Sequence, residues 1–178
     1  VVFGAGSTQF VFPEWIGIDG TADNVEIVLA LSFAGKIPVK LLKRDYNTTG
    51  TITLTSGQSL IGHGDDSTYI KYTGSGKAVI TDVSGVQQNI LLQDFSVSNQ
   101  TNGTDGLDIS TMMRSVVRNV SIDSFKTNQC NLGGSVYGNY YNKFYDLVCY
   151  NTEVTQTALN VGNATYSTNS NQFFGLLL

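Results

Sequence analysis

The sequence predicts an all-β chain wound as a right-handed parallel β-helix, about 25–29 residues per coil, with one N-terminal capping α-helix. Three observations predict it. The first is a repeat: Leu92-Gln93-Asp94-Phe95-Ser96-Val97 aligns with residues 117–122, 144–149 and 173–178, at offsets of 25, 27 and 29 residues. The second is a triplet that recurs between these segments: Leu107-Asp108-Ile109, Cys130-Asn131-Leu132 and Leu159-Asn160-Val161. The third is composition. Charged residues are 13% of the 178-residue chain, about half the globular norm, while Gly, Thr, Ser and Asn number 19, 19, 16 and 15. Few charges and many turn formers describe short extended segments joined by many corners.

Two segments are expected. Residues 1–36 hold the N-terminal stretch and the capping helix; residues 37–178 hold the coils, expected to break off before the solenoid is complete. Asp23 is placed to cap a helix over residues 24–34, with Val25, Val28, Leu29 and Ser32/Phe33 at helical spacing and Gly35 as its left-handed stop. From about Val39 the helical period is gone. Strands of three to five residues follow, among them TITL, SLIG, TYIKY, KAVIT, NILL, FSV, GLDI, SVV, VSI, ALNV and QFFGLLL. Both prolines, Pro13 and Pro38, precede this region, so every later residue keeps a backbone N–H for a ladder.

The repeat template is apolar, any, Asp/Asn/Gly, apolar, any, apolar. Its third position holds Asp94, Asn119, Asp146 and Gly175. Two residues between inward apolar positions make a tight corner, and Gly, Asn and Asp tolerate positive φ best. A ladder of catalytic carboxylates is the alternative, and Asn119 and Gly175 in the same column argue against it. Three short strands per repeat bury their inward side chains only by stacking on the next coil, about 4.8 Å away. A rival antiparallel β-sandwich would need hairpin turns and longer alternating strands.

Composition excludes several functions. The net charge is −4 and no Lys/Arg cluster appears, so no nucleic-acid partner is expected. No apolar run reaches the ~20 residues of a membrane span. The opening VVFGAGSTQF lacks the basic and apolar regions of a signal peptide and has no initiating Met, as in an excised piece. Cys130 and Cys149 form no disulfide framework and sit in apolar strand patterns, as buried hydrophobes do. A single histidine, His63, argues against a His-rich metal site and a Ser-His-Asp triad. No carboxylate-glycine pattern suits a calcium loop. Neither a metal nor a cofactor is expected.

Residues 12–35, FPEWIGIDGTADNVEIVLALSFAG, and the KIPVKLLKRDYNTTGTITLTSGQSLIGHGDDSTYIKY that follows carry a resemblance. Together they resemble the opening of the pectate-lyase-like β-helix proteins of bacteriophage tailspikes, over residues ~10–75. The shared features are an aromatic-Gly turn at 15–20, the helix at 24–34, an extended segment at 39–54, L-x-G-x-G at 60–64 and I-x-Y at 70–72. The helix start GTADN has Asp23 without the paired Asp-Asp common in that family. The resemblance implies a helix that covers the first coil, whose strand edge would otherwise be open. It implies a homotrimer on a virion tail that binds bacterial surface polysaccharide, capsule or lipopolysaccharide, and in the full-length protein depolymerises it. Two alternatives stay open: a non-catalytic structural, trimerisation or glycan-binding part of a tail fibre, or a secreted pectate-lyase-like enzyme.

Chemistry would need acids outside the core. Glycoside hydrolysis uses two carboxyl groups, about 5–5.5 Å apart for retention and about 6.5–9.5 Å for inversion. A lyase instead needs a base and a cation at a uronate. Glu153 lies in the loop entering the Leu159 strand, and Asp108 is expected to face outward two coils earlier, ~9.6 Å along the axis. Glu153 and Asp108 are therefore the catalytic candidates, with solvated surface acids as the simpler reading. The stretch VYGNYYNKFYDLVCYN offers Tyr140, Tyr141 and Tyr145 as sugar contacts. Alternation puts Phe144 and Leu147 inward and Tyr145 outward; packing between coils or subunits competes with sugar binding. Asp105 is expected to cap a loop, Asp65 and Asp66 to lie in a turn, and Trp15 to seal the helix cap.

Overall fold

The structure, a computed structural model, describes residues 9–133, 137–150, 155–162 and 168–178. A 3-10 turn at Pro13–Trp15 leads into α1 (Asn24–Ala34). The first coil holds β1 (Val39–Lys40), β2 (Asp45–Thr48) and β3 (Ile52–Leu54). The second holds β4 (Ser59–Ile61), β5 (Tyr69–Tyr72), β6 (Lys77–Thr81) and β7 (Gln87–Gln88). The third holds β8 (Leu91–Asn99), β9 (Asp105–Asp108) and β10 (Met112–Met113). β11 (Val116–Asp123), β12 (Asn128–Asn131) and β13 (Asn139–Tyr140) follow, then β14 (Lys143–Tyr150), β15 (Thr157–Asn160), β16 (Thr168–Asn169) and β17 (Gln172–Leu177). The strands stack in parallel as three sheets around about four turns. Sheet A runs β1-β4-β8-β11-β14-β17 with β2 and β5 beside it; sheet B runs β3-β6-β9-β12-β15; sheet C runs β7-β10-β13-β16.

The repeat offsets are the ladder register. Leu92 pairs with Val117, Val117 with Phe144 and Phe144 with Phe173. In sheet B, Leu107 pairs with Cys130 and Cys130 with Leu159. Leu92, Phe95, Val97, Val117, Val120, Ile122, Phe144 and Leu147 point inward and are buried. Each contributes about 1.5–3 kcal/mol by leaving water, and the Phe144 and Phe173 rings stack at 4.6 Å. Cys130 and Cys149 are both buried and free. Burial, reinforced by a hydrogen bond with Cys149 and by the nearby charge of Asp108, pushes the Cys130 thiol well up, so it stays protonated and serves packing.

Sheet A departs from the expected short strands. β8, β11 and β14 run unbroken for 9, 8 and 8 residues. The corner lies inside them: Asp94, Asn119, Asp146 and Gly175 have φ of 60°, 48°, 49° and 69°. One left-handed residue per coil bends the strand without ending it, because pairing resumes on both sides.

Two expectations for the helix are corrected. Its buried stripe is Ile27, Ala30, Leu31 and Ala34, while Val25, Leu29 and Phe33 are exposed. The helix is apolar around its whole circumference, so spacing alone does not select a face; contact with β1, β2 and β3 of the first coil does. Asp23 does not cap its own helix. Its buried carboxylate accepts the Gly20 and Asn47 N–H groups, each at 2.8 Å, and its N–H donates to the Asn47 carbonyl at 2.8 Å. The residue thus latches the helix to β2. Gly35 ends the helix at φ 59°, as expected.

Candidate functional site

The outer face of sheet A gathers the candidate side chains. Register places Gln93, Arg118, Tyr145 and Phe174 in one outward column. The Arg118 guanidinium lies 5.3 Å over the Tyr145 ring, and Tyr145 stacks on Phe174 at 5.0 Å and 12°. Parallel in-register strands force this, since equivalent side chains stand one strand spacing apart. Both faces of Tyr145 are therefore occupied. What it offers a ligand is its edge and its hydroxyl rather than a free ring face.

Beside this column runs Leu91, Val116, Lys143 and Gln172, again in register. On the other side lies the corner ladder, where Asn119 Nδ2 donates to Asp94 Oδ1 at 2.9 Å and Gln93 Nε2 to Asp94 Oδ2 at 2.6 Å. Asp146 is exposed at the same corner one coil on. The positive φ throughout this column supports the corner reading over a catalytic ladder, and each Asp94 oxygen accepts from a neighbouring amide. Loop 62–68 walls the N-terminal end of the face. Ser121 Oγ donates to Asp65 Oδ2 at 3.0 Å, and Ser96 Oγ donates to the Asp65 carbonyl. His63 and Asp66 are exposed on this loop.

Tyr140 and Tyr141 sit where sheet C turns into sheet A, with ring centroids 6.5 Å apart; Tyr141 is 57% exposed. Tyr141 belongs to a second left-handed column that the sequence reading missed: Asn89, Arg114, Tyr141 and Ser170, with φ of 57°, 50°, 58° and 56°. Their spacings repeat the 25, 27 and 29 of the template, but Asn, Arg, Tyr and Ser share no chemistry that would mark a column.

The structure does not bring Asp108 to these residues. Asp108 lies in sheet B and is buried, not outward in solvent as expected. Its carboxylate pairs with the Lys77 ammonium and accepts the Ser110 N–H at 3.2 Å. Asp105 opens β9 instead of capping a loop, is buried, and accepts Asn128 Nδ2 at 2.7 Å. Glu153 lies outside the described residues. Trp15 stays on the surface, edge-on to Phe12 at 4.9 Å. Among the described residues no three His, Cys, Asp or Glu side chains gather as a metal site. Asp108→Asn is expected to cost about 1–2 kcal/mol, since Lys77 loses its closest partner but can rehydrate, and to leave glycan binding unchanged. Thermal melting alongside binding checks this; lost polysaccharide cleavage at unchanged stability would return Asp108 to catalysis.

These features define a parallel β-helix protein with an ordered polar-aromatic outer face. ORF18 of Geobacillus virus E2 has a similar structure, with a TM-score of 0.64 and 15% identity, over 94% of this chain and 42% of that one. The A-module of the mannuronan C-5 epimerase AlgE4 from Azotobacter vinelandii is also similar, with a TM-score of 0.58 and 18% identity, over 80% of this chain and 51% of that one. The chain thus spans about half the length of these neighbours, and at such identities the likeness is one of fold. No protein-family model and no curated protein sequence matches the chain. Among the described residues no helix is long and apolar enough to cross a membrane.

Proposed function

We propose that this chain is the polysaccharide-recognising β-helix of a virion tail protein. In this reading it holds bacterial surface polysaccharide, capsule or lipopolysaccharide, along the outer face of sheet A and works as a homotrimer. The observation that carries the reading is the outward column in which Arg118 lies over Tyr145 and Tyr145 on Phe174. Side chains set every ~4.8 Å along the column, Gln93, Arg118, Tyr145 and Phe174, give a linear polymer a run of contacts. Stacking already restrains them, so binding sacrifices little side-chain entropy. The fold neighbours support it in kind, one being a phage protein and the other carrying the name of a polysaccharide-acting enzyme. Recognition is preferred to cleavage because Asp108 is committed to Lys77 in another sheet.

The test is a panel of purified capsule and lipopolysaccharide preparations. Binding is followed by calorimetry, cleavage by reducing ends and by the absorbance of unsaturated uronates. Binding without new reducing ends is expected, and Tyr145→Ala should weaken it about 5–30-fold, or about 1–2 kcal/mol. New reducing ends that vanish in Glu153→Gln would instead make the chain an enzyme. Failure to bind any preparation would overturn the proposal. Sedimentation equilibrium checks the trimer, which a monomer mass would exclude.

A further inference from the structure

Two of the three arginines in the chain, Arg114 and Arg118, stand with Lys143 on adjoining coils. Val116 pairs with Lys143 and Met113 with Tyr140, so Lys143 sits between the two arginines one coil on, and Tyr141 lies beside Arg114. All three cations are exposed. Among the described residues the ion pairs are Lys71 with Asp45 and Lys77 with Asp105 and Asp108, so none of the three is paired. The carboxylates that border the group, Asp94 and Asp146, keep their charge but form no ion pair with it. Asp94 is occupied by Asn119 and Gln93, and Asp146 lies at the bend beyond Tyr145. An acidic protein with only 10 Lys and Arg has placed three of them on adjoining coils without an ion-pair partner.

The backbone adds an independent observation. Arg114 and Tyr141 are both left-handed, at φ 50° and 58°, on an exposed corner. Such a conformation costs an L-residue about 1–2 kcal/mol, and glycine would relieve it. Neither side chain is buried in return; Tyr141 is 57% exposed. Asn89 and Ser170 share this φ, so the corner imposes it in every coil; what is particular here is that two long, exposed side chains occupy a position glycine would relieve.

Resting on the reading of sheet A as a glycan-binding face, we propose that this corner binds an anionic polysaccharide. Arg114, Arg118 and Lys143 contact its carboxylate, sulfate or phosphate groups, and Tyr141 lies against a sugar ring. Guanidinium groups suit this because their planar donor fork matches such anions. Arg118 is already oriented by Tyr145, so its fork is presented without reordering.

The test titrates the protein with polygalacturonate, dextran sulfate and neutral dextran of similar length, at about 50 mM and about 500 mM NaCl. Both anionic polymers should bind and dextran should not. High salt should weaken binding at least ~10-fold, as screening predicts. The triple variant Arg114→Gln, Arg118→Gln, Lys143→Gln should lose at least ~10-fold in affinity at an unchanged melting temperature. Tyr141→Gly should melt no lower than the wild type yet bind several-fold more weakly, a split that a merely structural tyrosine would not give. Dextran binding as tightly as the anionic polymers, or a double variant Arg114→Gln, Lys143→Gln with wild-type affinity, would overturn this inference while leaving the sheet A proposal intact, because Arg118 and its column are retained. Failure of every polymer, capsule and lipopolysaccharide included, would overturn both. Tighter binding of duplex DNA than of either anionic polymer would also overturn it, as the mark of an unselective polyanion surface.

Discussion

Asn142→Ala is expected to lower the unfolding free energy by about 4 kcal/mol, among the largest effects of any single polar substitution in this chain. Asn142 is fully buried where sheet C turns into sheet A, between Ser115 of the previous coil and Asn171 of the next. Its Oδ1 accepts the Ser115 N–H at 3.0 Å. Its Nδ2 donates to the Met112 carbonyl at 2.9 Å and lies 2.8 Å and 3.0 Å from the side-chain oxygens of Asn139 and Asn171. Alanine leaves the Ser115 donor and the Met112 acceptor buried without this partner, at about 1–3 kcal/mol each. It also leaves a small cavity. Asn142→Asp keeps the acceptor but loses the amide donor and buries a charge, and should be no better tolerated. Urea unfolding measures the loss. Coils touch only their neighbours, so hydrogen exchange should quicken first around β13 and β14 while the early coils stay protected. A change below ~1 kcal/mol would mean that the ladder does not hold the coils together.

Gly62→Ala is expected to be the second severe change, at about 2–3 kcal/mol. No positive φ is involved; the constraint is space. A Cβ at Gly62 would fall 2.0 Å from the Asp94 carbonyl oxygen and 3.0 Å from Thr68 Cβ. The close approach exists because Gly62 and Gly64 donate to the Gln93 and Asp94 carbonyls at 2.8 Å and 2.9 Å, which holds loop 62–68 against the bend of β8. Alanine would lift the loop and with it the contacts of Asp65 to Ser96 and Ser121. The variant should therefore lose thermal stability and also weaken glycan binding at the walled end of sheet A. A melting temperature within about 1 °C of wild type would contradict the clash.

How much of this was legible follows from what repeats. The columns Leu92-Val117-Phe144-Phe173 and Leu107-Cys130-Leu159 could be read directly, because inward positions must be apolar in every coil and apolarity is visible in sequence. The bend at Asp94, Asn119, Asp146 and Gly175 was legible because few residue types accept positive φ. The equivalent column at Asn89, Arg114, Tyr141 and Ser170 was not. It obeys the same geometry, but beyond Asn89 it uses Arg, Tyr and Ser, which ordinarily avoid it, so only the backbone reveals it. The candidate aromatics were found as a stretch, but their arrangement was not: that Tyr145 spends both ring faces on Arg118 and Phe174 depends on residues 27 and 29 positions away.

By itself the sequence determined the solenoid, its coil length, its register and the bounds of its capping helix, since each follows from short-range pattern and from a repeat that the eye can align. Tertiary structure decided what depends on which coil lies next to which. It chose the Ile27–Ala30–Leu31 face of a helix that is apolar all round, because the first coil and the 3-10 turn offer the surfaces it packs on. It turned Asp23 from a cap into a latch on Asn47 and drew Asp108 into a pair with Lys77. Those partners are 24 and 31 residues distant in the chain. A buried carboxylate takes whichever donor the packing brings within reach, and that choice is made in space.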